Sequence, residues 1–284
     1  MEQAPETGGG SGIGMGVSLL LVGCGKMGGA LLSGWRAASV ASRIVVVEPS
    51  GPAAAFPSGV PDGVEVVTGA EALPSGFAPD AVVLAVKPQM MDAAAPAYAR
   101  FAGTAVFLSI AAGRTVGYFE RVFGSGAAIV RAMPNTPAAI GRGITAAVAN
   151  AAVTSEQRDL CTRLLAAAGE VAWLSEESQI DAVTAVSGSG PAYVFLLVEA
   201  LAKAGEAAGL PPDLAMTLAR ATVSGSGELL HRAAEPADQL RRNVTSPGGT
   251  TQAALDVLMA PDGLGPLLDR AVAAAVRRSR ELAG

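Results

Sequence analysis

Ser18-Leu19-Leu20-Leu21-Val22-Gly23-Cys24-Gly25-Lys26-Met27-Gly28 decides the fold. Its first five residues form an apolar run without polar alternation, as in a strand buried on both faces of a parallel sheet. The next six spell G-x-G-x-x-G, and a helical stretch from about Lys26 to Ala38 follows. Strand, glycine turn and helix in that order are the context of a dinucleotide-binding loop. Gly23 permits the tight turn, Gly25 lets the backbone approach a pyrophosphate, and Gly28 allows close helix–strand packing. The helix N-terminus offers free N–H groups and a positive dipole end to the phosphates. The bland alternative is a plain turn in a chain with 35 glycines among 284 residues. The agreement of strand, loop and helix weighs against it.

The same rhythm continues downstream. Strands are predicted at 44–47, 64–67, 81–86, 106–110 and 127–130, with helices near 89–100 and 115–122. Further strands are predicted at 143–149 and 170–174, separated by a helix from about Ser155, its expected cap, to Ala168. Alternating strands and helices mean βαβ units and a parallel sheet. After about residue 176 the strands stop. Helices are expected at 192–208, 213–232, 236–243, 250–259 and 264–283. The predicted organisation is a flexible tail over 1–16, a Rossmann-type domain over 17–175 and an all-α domain over 176–284. A helical domain this small and apolar is short of internal surface to bury, so an oligomer is expected.

Composition excludes several classes. Half the residues are hydrophobic, yet no unbroken run of 18 apolar residues occurs, so no membrane span is expected. Glu2 and Glu6 without a basic cluster do not read as a secretory signal. A net charge of −5 and no basic stripe argue against a nucleic-acid partner. Two cysteines, Cys24 and Cys161, and one histidine, His231, rule out a disulfide framework or a multi-histidine metal site. The expectation is a soluble, cytoplasmic α/β protein, without a metal, whose chemistry leans on a cofactor.

Glu48 ends the second strand, where an acidic group accepts hydrogen bonds from ribose hydroxyls and repels a 2′-phosphate. No arginine follows in Pro49-Ser50-Gly51, which leans toward NADH over NADPH. Ala85-Val86-Lys87-Pro88 ends the fourth strand, at the carboxyl edge where ligands bind. Lys87 is either along the cofactor or simply an exposed lysine. Arg131-Ala132-Met133-Pro134-Asn135-Thr136-Pro137 ends the sixth strand and reads as a neighbour of the nicotinamide or as a rigid connection. Two polar segments interrupt the apolar helices: Ser187-Gly188-Ser189-Gly190-Pro191 and Asn243-Val244-Thr245-Ser246-Pro247-Gly248-Gly249-Thr250-Thr251. Each is expected to open a helix, and the second reads as a cradle for a small carboxylate, with ordinary Ser/Thr capping as the alternative. Trp35, Trp173 and Met133 read as core, Cys24 as small packing, and His231 as a helix cap or surface residue.

Together these segments resemble the pyrroline-5-carboxylate reductase family. The resemblance rests on Gly23–Gly28, Ala85–Gln89, Ser109–Gly113, Arg131–Ala138, Ser187–Tyr193 and Val244–Thr251, in family order over about residues 18–282. It implies a Rossmann domain followed by a helical dimerisation domain, a homodimer often gathered into higher assemblies, and reduction of 1-pyrroline-5-carboxylate to L-proline by NADPH or NADH. It places the Thr251 hydroxyl at the imine nitrogen and Ser246, Gly249 and Thr250 on the carboxylate, with Glu177 on the substrate side. It puts Lys26, Met27, Ser50, Ala85, Val86, Pro88 and Asn243 with the cofactor. Lys26 stands where many relatives carry Asn. Two rivals remain: a β-hydroxyacid dehydrogenase or imine reductase, and an NAD(H) sensor without turnover. The first needs an acid–base lysine early in the interdomain helix. Tyr193-Val194-Phe195-Leu196-Leu197 has none, and Lys203 is expected to pair with Glu199.

Overall fold

The computed structural model describes residues 16–283, so the expected tail lies outside the described residues apart from Gly16. The chain divides into two compact units, the first ending at Glu177 and the second beginning at Ser178. The first unit runs β1 (Ser18–Val22), α1 (Lys26–Ala37), β2 (Arg43–Val47), the short α2 (Pro52–Ala55), β3 (Val64–Val67), β4 (Ala81–Leu84), the short α3 (Met91–Ala94), β5 (Val106–Ser109), α4 (Val116–Phe123), β6 (Ile129–Met133), β7 (Gly143–Ala149), α5 (Ser155–Ala166) and β8 (Gly169–Trp173).

The sheet order is β3-β2-β1-β4-β5-β6-β7-β8. Strands β1 to β6 are mutually parallel, whereas β7 runs antiparallel to β6 and β8 parallel to β7. The expected parallel sheet therefore reverses at its last two strands. The cause is the length of the 134–142 connection, which is too short for a crossover helix and can only turn the chain back. Strand β6 also reaches further than expected, because Arg131–Met133 find partners in Val148–Ala146 of β7.

The uninterrupted apolar runs are explained by burial on both faces. In β1, Leu19 and Leu21 join a cluster with Leu31 and Trp35 of α1 and Leu160 and Leu164 of α5. Leu20 and Val22 point the other way, into a cluster with Met91, Tyr98, Phe119 and Phe123. The Trp35 indole N–H donates to the Leu164 carbonyl at 2.8 Å and ties α1 to α5. The expected helix at 89–100 is instead mostly 3₁₀ turn flanking α3, because Pro96 lacks an N–H and crowds the preceding turn. The cap of α5 is Thr154 rather than Ser155. Its hydroxyl accepts the Gln157 N–H while the Gln157 amide oxygen accepts the Thr154 N–H.

The second unit comprises α6 (Ile180–Val183), a π-helical turn (Thr184–Gly188), α7 (Gly190–Ala207), α8 (Pro212–Arg232), α9 (Ala237–Asn243), α10 (Thr250–Leu258) and α11 (Leu264–Ala283). Helices α7 and α8 pack on one another, and the residues they bury are Ala202, Ala215 and Ala219. Their larger apolar side chains face outward: Phe195 and Leu196 are each 62% exposed, and Leu197, Leu214, Leu218 and Leu229 are also exposed. By length and composition, the helical path Glu177–Ala207 could cross a membrane, although Gly, Ser and Pro interrupt its apolar run.

Candidate functional site

The glycine loop has three glycines with three different physical reasons. Gly23 has φ +89°, a left-handed conformation that a side chain would strain. A Cβ on Gly28 would lie 2.5 Å from the Gly23 carbonyl oxygen, so the first turn of α1 can press on the loop only because this residue has none. A Cβ on Gly25 would meet nothing within 4 Å, so the chain leaves open space there. Gly25 also caps α1 without a side-chain hydrogen bond, and no acidic residue occupies the first turn. The N–H groups of that turn therefore face a clear approach, the donor set a pyrophosphate requires.

The other residues expected with a cofactor divide between surface and packing. Lys26, Lys87 and Ser50 are exposed and Pro88 is half-buried. Met27 is partly buried and packs against the α1-side core. Ala85 and Val86 lean on the glycine loop, with the Ala85 Cβ at Gly28 and Val86 Cγ1 at Gly23. The Glu48 carboxylate at the end of β2 accepts the Cys24 N–H through Oε2 and the Ser50 N–H through Oε1, each at 3.2 Å. These bonds fix its orientation beside the loop, and each oxygen retains a lone pair for a further donor. Burial and the nearby Glu48 charge push the Cys24 thiol upward, so it is packing rather than a nucleophile. Asn243 is exposed at the end of α9, in the second unit, and its amide oxygen accepts from Gln239 at 2.7 Å.

Three features here escape inspection of the sequence. Arg131 is 7% exposed, and its Nη1 meets Glu177 Oε1 at 2.6 Å. The same oxygen accepts the N–H of Val116, the first residue of α4, at 2.8 Å. Glu177, expected on the substrate side, thus clamps the end of β6 to the start of α4. Within the 131–137 segment, Asn135 accepts the Ile144 N–H at 3.0 Å and stiffens the turn into β7. The second feature is Arg114, which donates to the Pro88 carbonyl through Nε and Nη2 at 3.2 and 2.9 Å. No motif marks these contacts, because each joins residues far apart in sequence.

The third feature is a π turn directly ahead of α7. Ser187–Pro191 opens α7 as expected, with Ser189 as its cap and Pro191 in the first turn, but the residues before it are already helical. There the π turn shifts the bonding register and the Ser189 N–H reaches the Thr184 carbonyl. The Tyr193 hydroxyl donates to the Ala185 carbonyl across this turn. Pro191 stands in the first turn of α7, where its missing N–H leaves no helical bond unmade. Lys203 and Glu199, expected to pair, are both exposed and form no ion pair among the described residues. Both stay solvated, since an exposed pair gains little. His231 is exposed in the last turn of α8.

The segment 243–251 also opens a helix. Gly248 has φ +70°, and Gly249 caps α10 with no side-chain hydrogen bond. The Thr245 hydroxyl turns back to the Arg241 carbonyl at 2.7 Å. Ser246 and Thr250 are exposed and Thr251 is half-buried, and no hydrogen bond among the described residues engages their hydroxyls. Uncommitted helix N–H groups and three uncommitted hydroxyls thus stand together, able to bind a small anion and to donate to a neighbouring atom.

Comparison with known proteins gives a consistent result. A family model described as pyrroline-5-carboxylate reductase dimerisation matches residues 177–282. One described as NADP oxidoreductase, coenzyme F420-dependent, matches residues 18–113. A pyrroline-5-carboxylate reductase of Pseudomonas aeruginosa is 42% identical over 269 residues, 93% of this chain and 96% of that protein. Among solved structures, a pyrroline-5-carboxylate reductase from Coxiella burnetii superposes with TM-score 0.86 at 34% identity, covering 94% of this chain and 99% of that one. The Plasmodium falciparum pyrroline carboxylate reductase, solved with NADP bound, gives TM-score 0.77 at 29% identity, covering 94% and 98%. On sequence and fold together, the chain belongs to the pyrroline-5-carboxylate reductase family.

Proposed function

We infer that this protein reduces the C=N bond of 1-pyrroline-5-carboxylate with a nicotinamide dinucleotide, giving L-proline, the final step of proline biosynthesis. The carrying observation is the 42% identity over 93% of the chain to a curated relative of that name. The bound nicotinamide supplies the two reducing electrons, and the chain's residues bind, orient and hold the proton. The open face at Gly25 and the uncapped start of α1 fit the pyrophosphate. The uncapped start of α10, with Ser246, Gly249 and Thr250, takes the substrate carboxylate. Thr251 sets its hydroxyl against the ring nitrogen, as a hydrogen-bond donor working with water, because a hydroxyl alone is a weak acid. Asn243 is assigned a contact with the cofactor. Glu177 acts indirectly, by holding the end of β6.

Glu48 supports a preference for NADH. Its carboxylate is pinned by two backbone N–H groups, so it cannot easily swing away from a 2′-phosphate. The outward apolar faces of α7 and α8 support a homodimer through the helical unit, since single chains rarely leave such patches uncovered. The same faces account for the apolar path Glu177–Ala207 as subunit interface rather than membrane span. Higher assemblies of dimers and a cytoplasmic location complete the reading. The test is the full chain mixed with pyrroline-5-carboxylate and NADH or NADPH in parallel. Imine-dependent oxidation with proline formed, faster with NADH, is expected. Dinucleotide binding without oxidation of either cofactor would overturn the enzymatic reading.

A further inference from the structure

We propose that Arg114 is a positioning residue for the cofactor: it anchors the Ala85–Pro88 turn at the carboxyl edge of the sheet and thereby sets dinucleotide affinity. The proposal rests on the dinucleotide reading of the glycine loop. Lys87 sits between two fixed neighbours. On one side, Val86 packs its Cγ1 over Gly23. On the other, the Pro88 carbonyl receives Arg114 Nε at 3.2 Å and Nη2 at 2.9 Å. Nη2 also meets Asp92 Oδ2 at 2.8 Å, just beyond the turn. The guanidinium carbon stands 4.6 Å from the Tyr118 ring centroid, a cation–π contact from α4. The Tyr118 oxygen is buried without a partner of hydrogen-bonding geometry, although it approaches Asp92 closely enough to hold that carboxyl below its usual range. One side chain thus joins the segment after β5 to the turn after β4 and to α4. A planar fork can hold Pro88 and Asp92 together, whereas a single ammonium cannot.

The test measures NADH binding directly, by nicotinamide fluorescence, on the full chain and on Arg114→Ala, Arg114→Lys and Asp92→Asn. KM for the dinucleotide and for pyrroline-5-carboxylate is measured in parallel. Expected is a rise of about three- to thirtyfold in Kd and KM for NADH in both Arg114 variants, less than the roughly 10- to 150-fold worth of a charge-assisted hydrogen bond, because Arg114 acts through the turn and not on the cofactor itself. KM for the imine stays unchanged. Asp92→Asn, which keeps the bond to Pro88, shows a smaller rise. Wild-type NADH affinity in Arg114→Lys would overturn the proposal. So would an Arg114→Ala protein whose folded fraction alone has fallen, its remaining molecules binding NADH normally. If the wild type itself binds no dinucleotide, the reading of the glycine loop fails and takes this proposal with it.

Discussion

Gly28 shows how much a single missing methyl group decides. A Cβ there would sit 2.5 Å from a backbone oxygen and 3.2 Å from the Ala85 Cβ. Backbone cannot yield as a flexible side chain can, so Gly28→Ala should displace the loop and weaken NADH binding about tenfold or more, while the melting temperature falls by only a few degrees. Affinity titration alongside a thermal melt checks this. Glu48 makes the complementary prediction. Replacing it with Ser removes the charge proposed to repel a 2′-phosphate and should shift the NADPH-to-NADH ratio of kcat/KM upward by about tenfold, the order expected of one relieved like-charge contact. An unchanged ratio would show that Glu48 only braces the loop. The tight packing at Gly28 and the place of Glu48 at the end of β2 were readable in the sequence, because G-x-G-x-x-G and a strand-ending acid have local causes. Arg114 and the Arg131–Glu177 pair were not, because side chains 26 and 46 positions from their partners leave no periodic trace.

At the scale of elements, strands were the most legible, since burial on both sides of the sheet forces continuous apolar runs. Direction was less so. The same apolar alphabet serves β7 and β8, and only the short 134–142 connection discloses their reversal. Helix α5 illustrates a neighbouring ambiguity: Thr154 and Ser155 are both competent caps, and the reciprocal bond with Gln157 selects the first. Thr154→Ala should therefore cost about 1 kcal/mol in urea unfolding, with Ser155→Ala near neutral. The segment Ser187–Pro191 marks the start of α7, where Ser189 caps and Pro191 stands in the first turn, but not the π turn before it. That turn goes unannounced because α6, ahead of it, is too short to show a period.

Across the whole molecule, two buried groups give the stability a pH dependence. Burial pushes the Cys161 thiol up from near 9 to about 12, and the Tyr98 phenol from near 10 to about 12. Both are raised in the folded state, so the folded chain holds its protons more tightly than the unfolded one. Their contribution is complete below the unfolded values and is lost as pH rises from about 9 toward 12. Urea midpoints should fall steadily above pH 9, and Cys161→Ala should flatten the first part of that fall. The helical unit makes a different kind of prediction. Its alanine-lined α7–α8 contact buries little, while Phe195 and Leu196 stay open. Phe195→Glu should yield a lower-mass species in light scattering and a loss of activity, whereas a change at the exposed Asp62 of the first unit should do neither.

The turn before α10 holds uncommitted hydroxyls and helix N–H groups together. The measurement that tests it most directly is the steady-state rate of Thr251→Val with saturating NADH and pyrroline-5-carboxylate. A shape-preserving loss of the hydroxyl should lower kcat by about 10- to 1,000-fold, the span of a single acid or donor, with NADH affinity unchanged. A variant that turns over like the wild type would contradict the placement of Thr251 at the reacting nitrogen.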